Sequence, residues 1–182
     1  MKVSRDQLAE NHRQILDAAS RLFRERGIDG VTVAQIMRAA GLTHGAFYGH
    51  FKSKAALVAQ ACAHALQRDG IDDLAHYVAG YLTPRHRDER ADGCVFAALG
   101  AEVVRGTPEA RKVLTLAAER QIERLAAIAP GRTQEDRRRA AITTWSAMIG
   151  AMILARLVDD GALSAEILGA TEAGLRGFSR TG

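Results

Sequence analysis

Between residues 43 and 54 the chain gathers Thr43, His44, Tyr48, His50, Ser53 and Lys54, set among the small residues Gly45, Ala46 and Gly49. Hydroxyls, imidazoles and an ammonium donate hydrogen bonds and positive charge, so the chemistry on offer is holding an anion rather than making bonds. Ser53 is placed to cap a helix that starts at Lys54. The free N–H groups and positive dipole end of such a helix, with the ammonium beside them, form a phosphate site. Tyr48 and His50 beside three small residues make a poor solvated helix by propensity. Small residues suit a surface that another body approaches closely, and a duplex major groove, about 12 Å wide, admits a helix.

Other reactive residue types are sparse. Cys62 and Cys94 have no Cys-x-x-Cys spacing and cannot build a disulfide framework. Cys94 follows Gly93 at an expected helix start, where backbone N–H groups favour a thiolate. It reads either as a reactive thiol or as a small buried hydrophobe. Asp72 and Asp73 with His76 have helical spacing for a metal pair but lack a third ligand, and read as surface groups. Phosphate loops of the Gly-x-x-x-x-Gly-Lys and Gly-x-Gly-x-x-Gly types are missing. The expectation is a protein that is not an enzyme and uses no metal or cofactor.

The elements that must position residues 43–54 are legible around them. Aromatics are 5% of 182 residues and the three prolines all lie past residue 83, which favours an all-α fold. Ser4 with Gln7 starts a first helix that carries Leu8, Ile15, Leu16, Ala19, Leu22 and Phe23 up to Gly27. Thr32 with Gln35 starts a second, with Val33, Ile36, Ala39 and Ala40 inward and Gly41 at its end. Thr43 is expected to cap a third helix over 44–51, with Phe47 and Phe51 facing the core. Two short helices joined through Gly41 and Leu42 make a helix-turn-helix. Residues 1–55 hold nine Lys and Arg against five Asp and Glu, the whole formal net charge of +4. A basic amino-terminal part on a neutral body points to an anionic partner at one end.

The stretch from Val31-Thr32-Val33-Ala34-Gln35-Ile36 through Ala40-Gly41-Leu42-Thr43 to Phe47-Tyr48-Gly49-His50-Phe51-Lys52-Ser53-Lys54 resembles the DNA-binding domain of the tetracycline-repressor (TetR) family. The likeness covers roughly residues 10–58. It implies a ligand-responsive transcriptional regulator, usually a repressor, that binds a double-stranded DNA operator as a homodimer, with a regulator switched by oxidation or electrophile modification of Cys94 as its alternative. By that resemblance Tyr48, His50 and Lys54 hold phosphates, while Thr43 caps the reading helix and reaches backbone or base. His44, Gly45 and Ala46 fall where base edges are read, with Gln35 and Arg38 as supports and Thr32 and Gly49 alongside. Ala46 stands where a hydroxyl is usual, and Gly49 where a large residue is. Direct readout therefore falls mainly on His44 and Thr43, with DNA shape carrying much of the discrimination.

The expected division is a helix-turn-helix domain over 1–55 and a helical effector-binding and dimerisation domain over 56–182. The body reads as helices from Ile71 to Leu82, from Gly93 to Gly106, from Thr107-Pro108 to about Ala129, from Thr133 to about Asp159, and from a Ser164 cap to near Phe178. Residues 83–90 read as a polar loop. Tyr77, Tyr81, Cys94, Phe96, Trp145, Met148 and Met152 are the candidates to line a pocket for a small-molecule effector. Ala147, Gly150, Ala151 and Ala155 form a small-residue stripe, with Ile149, Met152 and Ile153 beside it. By the resemblance, the last two helices form the homodimer seam. The apolar run Ala140–Ala155 lies between Arg139 and Arg156 and is shorter than the roughly 20 residues a bilayer needs. A cytoplasmic protein with no membrane partner is expected. A helical interaction module that binds no DNA is the reading from a different class.

Overall fold

The computed structural model describes residues 4–66 and 73–178, and every regular element in them is helical. Nine α-helices run in order: α1 (Arg5–Arg26), α2 (Val33–Ala39), α3 (Lys54–Ala65), α4 (Leu74–Tyr81), α5 (Pro84–Asp88), α6 (Val95–Arg105), α7 (Pro108–Ile128), α8 (Gln134–Leu157) and α9 (Gly161–Phe178). Two short 3-10 helices, His44–Gly49 and Arg90–Asp92, complete the set among the described residues. Packing divides the chain into two compact units. One holds α1 to α3 with residues 94–115, the other α4 and α5 with residues 116–178.

The first unit is assembled by caps and by one apolar cluster. Ser4 Oγ accepts from the Gln7 amide at 3.1 Å, and Gly27, at φ 80°, ends α1. Thr32 and Gln35 form a reciprocal capping box on α2. Gly41 at φ 72° closes α2: Leu42 N–H donates to Met37 O at 2.8 Å and Gly41 N–H to Arg38 O at 3.1 Å, the pairing that a left-handed residue permits. Ile15, Ala19 and Phe23 of α1 bury with Ile36 and Met37 of α2, Leu57, Ala61 and Cys62 of α3, and Val95, Leu99 and Val103 of α6. Burying Leu57, Val58, Ala61 and Cys62 against α1 carries this unit past residue 55, and α6 joins it from far along the chain. Gly30 sits where an added Cβ would lie 2.5 Å from the Arg26 carbonyl oxygen, so the turn between α1 and α2 has room for glycine alone.

The expected third helix differs in kind. Residues 44–49 are a 3-10 helix, and the Thr43 side chain makes no capping hydrogen bond. With Gly45 and Gly49 inside a six-residue stretch, helix propensity is low and the tighter three-residue spacing suffices. Ala46 N–H donates to Thr43 O at 3.1 Å and His50 N–H to Phe47 O at 2.9 Å. Phe47 and Phe51 still turn inward, 1% and 2% exposed.

The second unit departs from expectation at two starts. Residues 83–90 are not a plain loop: Thr83 caps α5 by accepting from the His86 amide at 3.1 Å, with Pro84 at the first helical position. Ser164 does not cap α9. Asp160 does, accepting from the Ala162 and Leu163 amides at 2.7 and 3.0 Å. The buried Ser164 hydroxyl instead donates to Ala155 O at 2.7 Å and accepts from Arg87 Nη1 at 2.8 Å, joining α9 to α8 and α5. The residues expected to begin a helix at Ile71 lie outside those described, as does Asp72. Asp73 is the cap of α4, accepting from the His76 amide at 2.6 Å, which spends on folding a carboxylate considered for metal. Thr133 and Asp136 form a capping box on α8, whose Ala141, Thr144, Trp145, Met148, Ala151, Met152 and Ala155 are buried. By length and composition α8 is also apolar enough to cross a membrane.

Candidate nucleic-acid interface

Phe47 and Phe51 anchor the 3-10 helix, their rings stacked with centroids 5.8 Å apart. With those two inward, Tyr48 is forced outward and is 73% exposed, its ring meeting Phe47 edge-on at 5.2 Å. Thr43, His44, Gly45 and Gly49 share this open surface, and Thr32, Gln35 and Arg38 of α2 are exposed as well. Ala46 is half-buried and packs against the core. A Cβ added at Gly45 or Gly49 meets nothing within 4 Å. No neighbouring atom within the fold therefore excludes a side chain at either position.

Several of these side chains already have partners. Gln35 Oε1 accepts from Thr32 N–H at 2.8 Å and from its hydroxyl at 3.1 Å. Ser53 Oγ accepts from the Ala56 amide at 3.1 Å and so starts α3. Lys54, half-buried at that start, donates from Nζ to the Ile28 carbonyl at 2.6 Å. An ammonium has three donors, so this bond aims the group without exhausting it.

Two residues belong here that the sequence reading did not single out. His12 of α1 stacks on Phe51 with centroids 4.7 Å apart and stands 5.9 Å from the His50 ring. Burial lowers the His50 pKa from the usual histidine value, and the charge on His12 lowers it further. Glu102 of α6 accepts from the Ile28 amide at 2.6 Å, on the residue whose carbonyl holds Lys54. His12 lies three positions before buried Ile15, so helical spacing places it on the core side of α1. A contact 74 residues apart in sequence leaves no local signal for Glu102.

The seven pocket candidates do not fall in one unit. Cys94 and Phe96 lie in the first, where Phe96 packs on the apolar cluster and Cys94 is the half-buried N-cap of α6. Tyr77, Tyr81, Trp145, Met148 and Met152 lie in the second. There Tyr77 and Tyr81 stand 6.1 Å apart, and the Tyr77 hydroxyl accepts from Gln121 Nε2 at 3.1 Å. Met148 and Met152 are fully buried. Cys62, deep in the first unit, has its thiol pushed up to about 11 by burial and stays protonated at neutral pH. Among the described residues no group of three or more His, Cys, Asp or Glu side chains could hold a metal ion.

Capped short helices turned at Gly41, with an exposed polar segment on two buried phenylalanines, define a helix-turn-helix domain. Residues 15–61 match the family described as "Bacterial regulatory proteins, tetR family". The "HTH-type transcriptional repressor Rv1474c" of Mycobacterium tuberculosis is 50% identical over 74 residues, 41% of this chain and 37% of that protein. The "HTH-type transcriptional regulator TtgR" of Pseudomonas putida is 44% identical over 55 residues, 30% of this chain and 26% of that one. The matches thus span about a third and about a quarter of those relatives' lengths. Among solved structures, a TetR-family transcriptional regulator from Agrobacterium tumefaciens superposes with a TM-score of 0.74 at 20% identity, over 94% of this chain and 99% of that one. The reduced form of Escherichia coli NemR gives 0.69 at 18%, over 92% and 96%. Those two likenesses establish the fold.

Proposed function

We propose that this protein is a cytoplasmic, sequence-specific DNA-binding transcriptional regulator that acts as a repressor and leaves its operator when a small molecule binds. The observation that carries the reading is Tyr48: a tyrosine 73% exposed, held out by two buried phenylalanines and flanked by glycines the interior does not need. Tyr48, His50 and Lys54 hold phosphates, while His44 and Thr43 read base edges. Residues 1–55 supply the DNA contacts and residues 56–182 the effector and dimer contacts. The relative named a transcriptional repressor supports the sign of the regulation.

A second copy of the chain supplies the other reading segment. Ile142, Ile149, Ile153 and Leu157 follow one another along α8 on the side away from its buried stripe, and Ile142, Ile153 and Leu157 are exposed. Ala151 and Ala155 of the small-residue stripe are buried within the chain, so the larger aliphatic residues are the ones left for the seam. The effector occupies the second unit near Tyr77, Tyr81 and Trp145. By linkage, operator binding weakens effector binding by the factor with which effector weakens operator binding.

Mixed-sequence duplex DNA titrated at rising salt tests the phosphate contacts, because log affinity falls with log salt in proportion to the phosphates neutralised. A flat salt response rejects them. His50 adds a pH dependence with a definite sign. Its pKa is lowered in the free protein, and a phosphate beside it favours the imidazolium, so DNA binding takes up a proton. Affinity therefore rises as pH falls through the range between the bound and free pKa values, and levels off below the free value. For folding the same group acts oppositely. Its contribution is present above the unfolded value, about 6.5, and is lost as pH falls through the lowered folded value. Anisotropy titrations at pH 8 and pH 6 check this, and His50→Gln flattens most of the slope.

A further inference from the structure

The turn after α1 is held from two sides by groups of opposite charge. Glu102 Oε2 accepts from the Ile28 amide at 2.6 Å, with the Asp29 amide at 3.4 Å. The Ile28 carbonyl accepts from Lys54 Nζ at 2.6 Å. A carboxylate thus faces the N–H of Ile28 while an ammonium faces its C=O, both in the sense that a charge-assisted hydrogen bond favours. Gly27 makes the approach possible: at φ 80° it has no Cβ, and one added there would lie 2.9 Å from Glu102 Oε1. All five residues lie in the first compact unit.

We propose that Glu102 is a positioning residue of the nucleic-acid interface, which fixes the Ile28 backbone and through its carbonyl holds the Lys54 ammonium at the start of α3. This rests on the DNA-binding reading above. The lysine side chain otherwise samples many rotamers, and holding one donor on Ile28 removes that freedom before a phosphate arrives, leaving two donors to meet it. Because Glu102 belongs to α6, any displacement of that helix alters the aim of Lys54 without any DNA contact from α6 itself.

The test uses the full chain with Glu102→Gln, which keeps an acceptor oxygen but loses the charge, and Glu102→Leu, which loses both. Amine-reactive labelling of the free protein is read at Lys54 against exposed Lys52 as internal reference. Labelling of Lys54 should rise in the order wild type, Gln, Leu, by about threefold or more for Leu, since contacting residues couple on that scale. Mixed-sequence duplex affinity should fall about tenfold in Glu102→Leu, and adding Lys54→Ala to it should cost much less than Lys54→Ala costs alone. Unchanged Lys54 labelling, or duplex effects that simply multiply, overturns the proposal; a merely structural role gives both. If the Leu variant does not fold, Gln alone decides by the same labelling ratio. A wild-type chain that binds no duplex rejects the DNA reading, and the labelling arm still decides whether Glu102 places Lys54.

Discussion

Replacing Tyr48 with Phe is expected to lower duplex affinity about 10- to 100-fold, the worth of a hydrogen bond to a charged group, while leaving the melting temperature unchanged. The ring contributes its edge contact with Phe47 in both proteins, so folding loses nothing. The hydroxyl stands on a side chain 73% exposed, where water satisfies it in the free protein. Only in the complex, with a phosphate oxygen in its place, does its removal matter. Fluorescence anisotropy with a labelled duplex, paired with thermal denaturation, separates the two quantities. Equal affinities for the two proteins would remove Tyr48 from the interface and with it the main support for the DNA reading.

Replacing Phe51 with Ala should act through the opposite route. Its ring is 2% exposed, stacked on Phe47 on one side and His12 on another. Truncating a buried phenylalanine costs about 3–5 kcal/mol, a large share of the roughly 5–15 kcal/mol that hold a domain folded. A unit of this size loses about 4–8 °C per kcal/mol, so the melting temperature should fall by about 12 °C or more. Duplex binding is lost with it, because Tyr48 and His50 depend on that ring for their placement. Phe51→Leu keeps most of the volume and should cost far less, about 1–1.5 kcal/mol, with duplex binding retained. A Phe51→Ala protein that melts like wild type would show that the phenylalanine pair does not anchor the segment.

What could be read from residue order was what local chemistry decides. Gly41 closes α2, the Thr32–Gln35 and Thr133–Asp136 pairs cap their helices, and Phe47 and Phe51 turn inward, all as spacing implied. A Thr-Pro pair starts a helix both at 107–108 and at 83–84, but at the second the run of charges that follows reads as a loop and conceals a helix of five residues. Thr43 and Ser164 have the right residue type for caps, yet neither serves as one. Residues 44–49 close through three-residue spacing, and at α9 the Asp160 carboxylate lies ahead of the serine. His12 and Glu102 reach the interface across 38 and 74 positions, to His50 and Ile28, and tertiary packing of α1 and α6 alone brings them there. The charge surplus in residues 1–55 marked where the anionic partner is expected, but not that Lys54 is already tied to a backbone carbonyl.

The central claim is that two copies of the exposed segment around Tyr48 read one duplex. Selection of bound duplexes from a random pool tests it most directly. The expected result is enrichment of a palindrome whose half-sites lie about 34–36 Å apart, one helical turn, or a multiple of that spacing. A pool that emerges from repeated rounds with no enriched palindrome, while the protein remains folded, would contradict it.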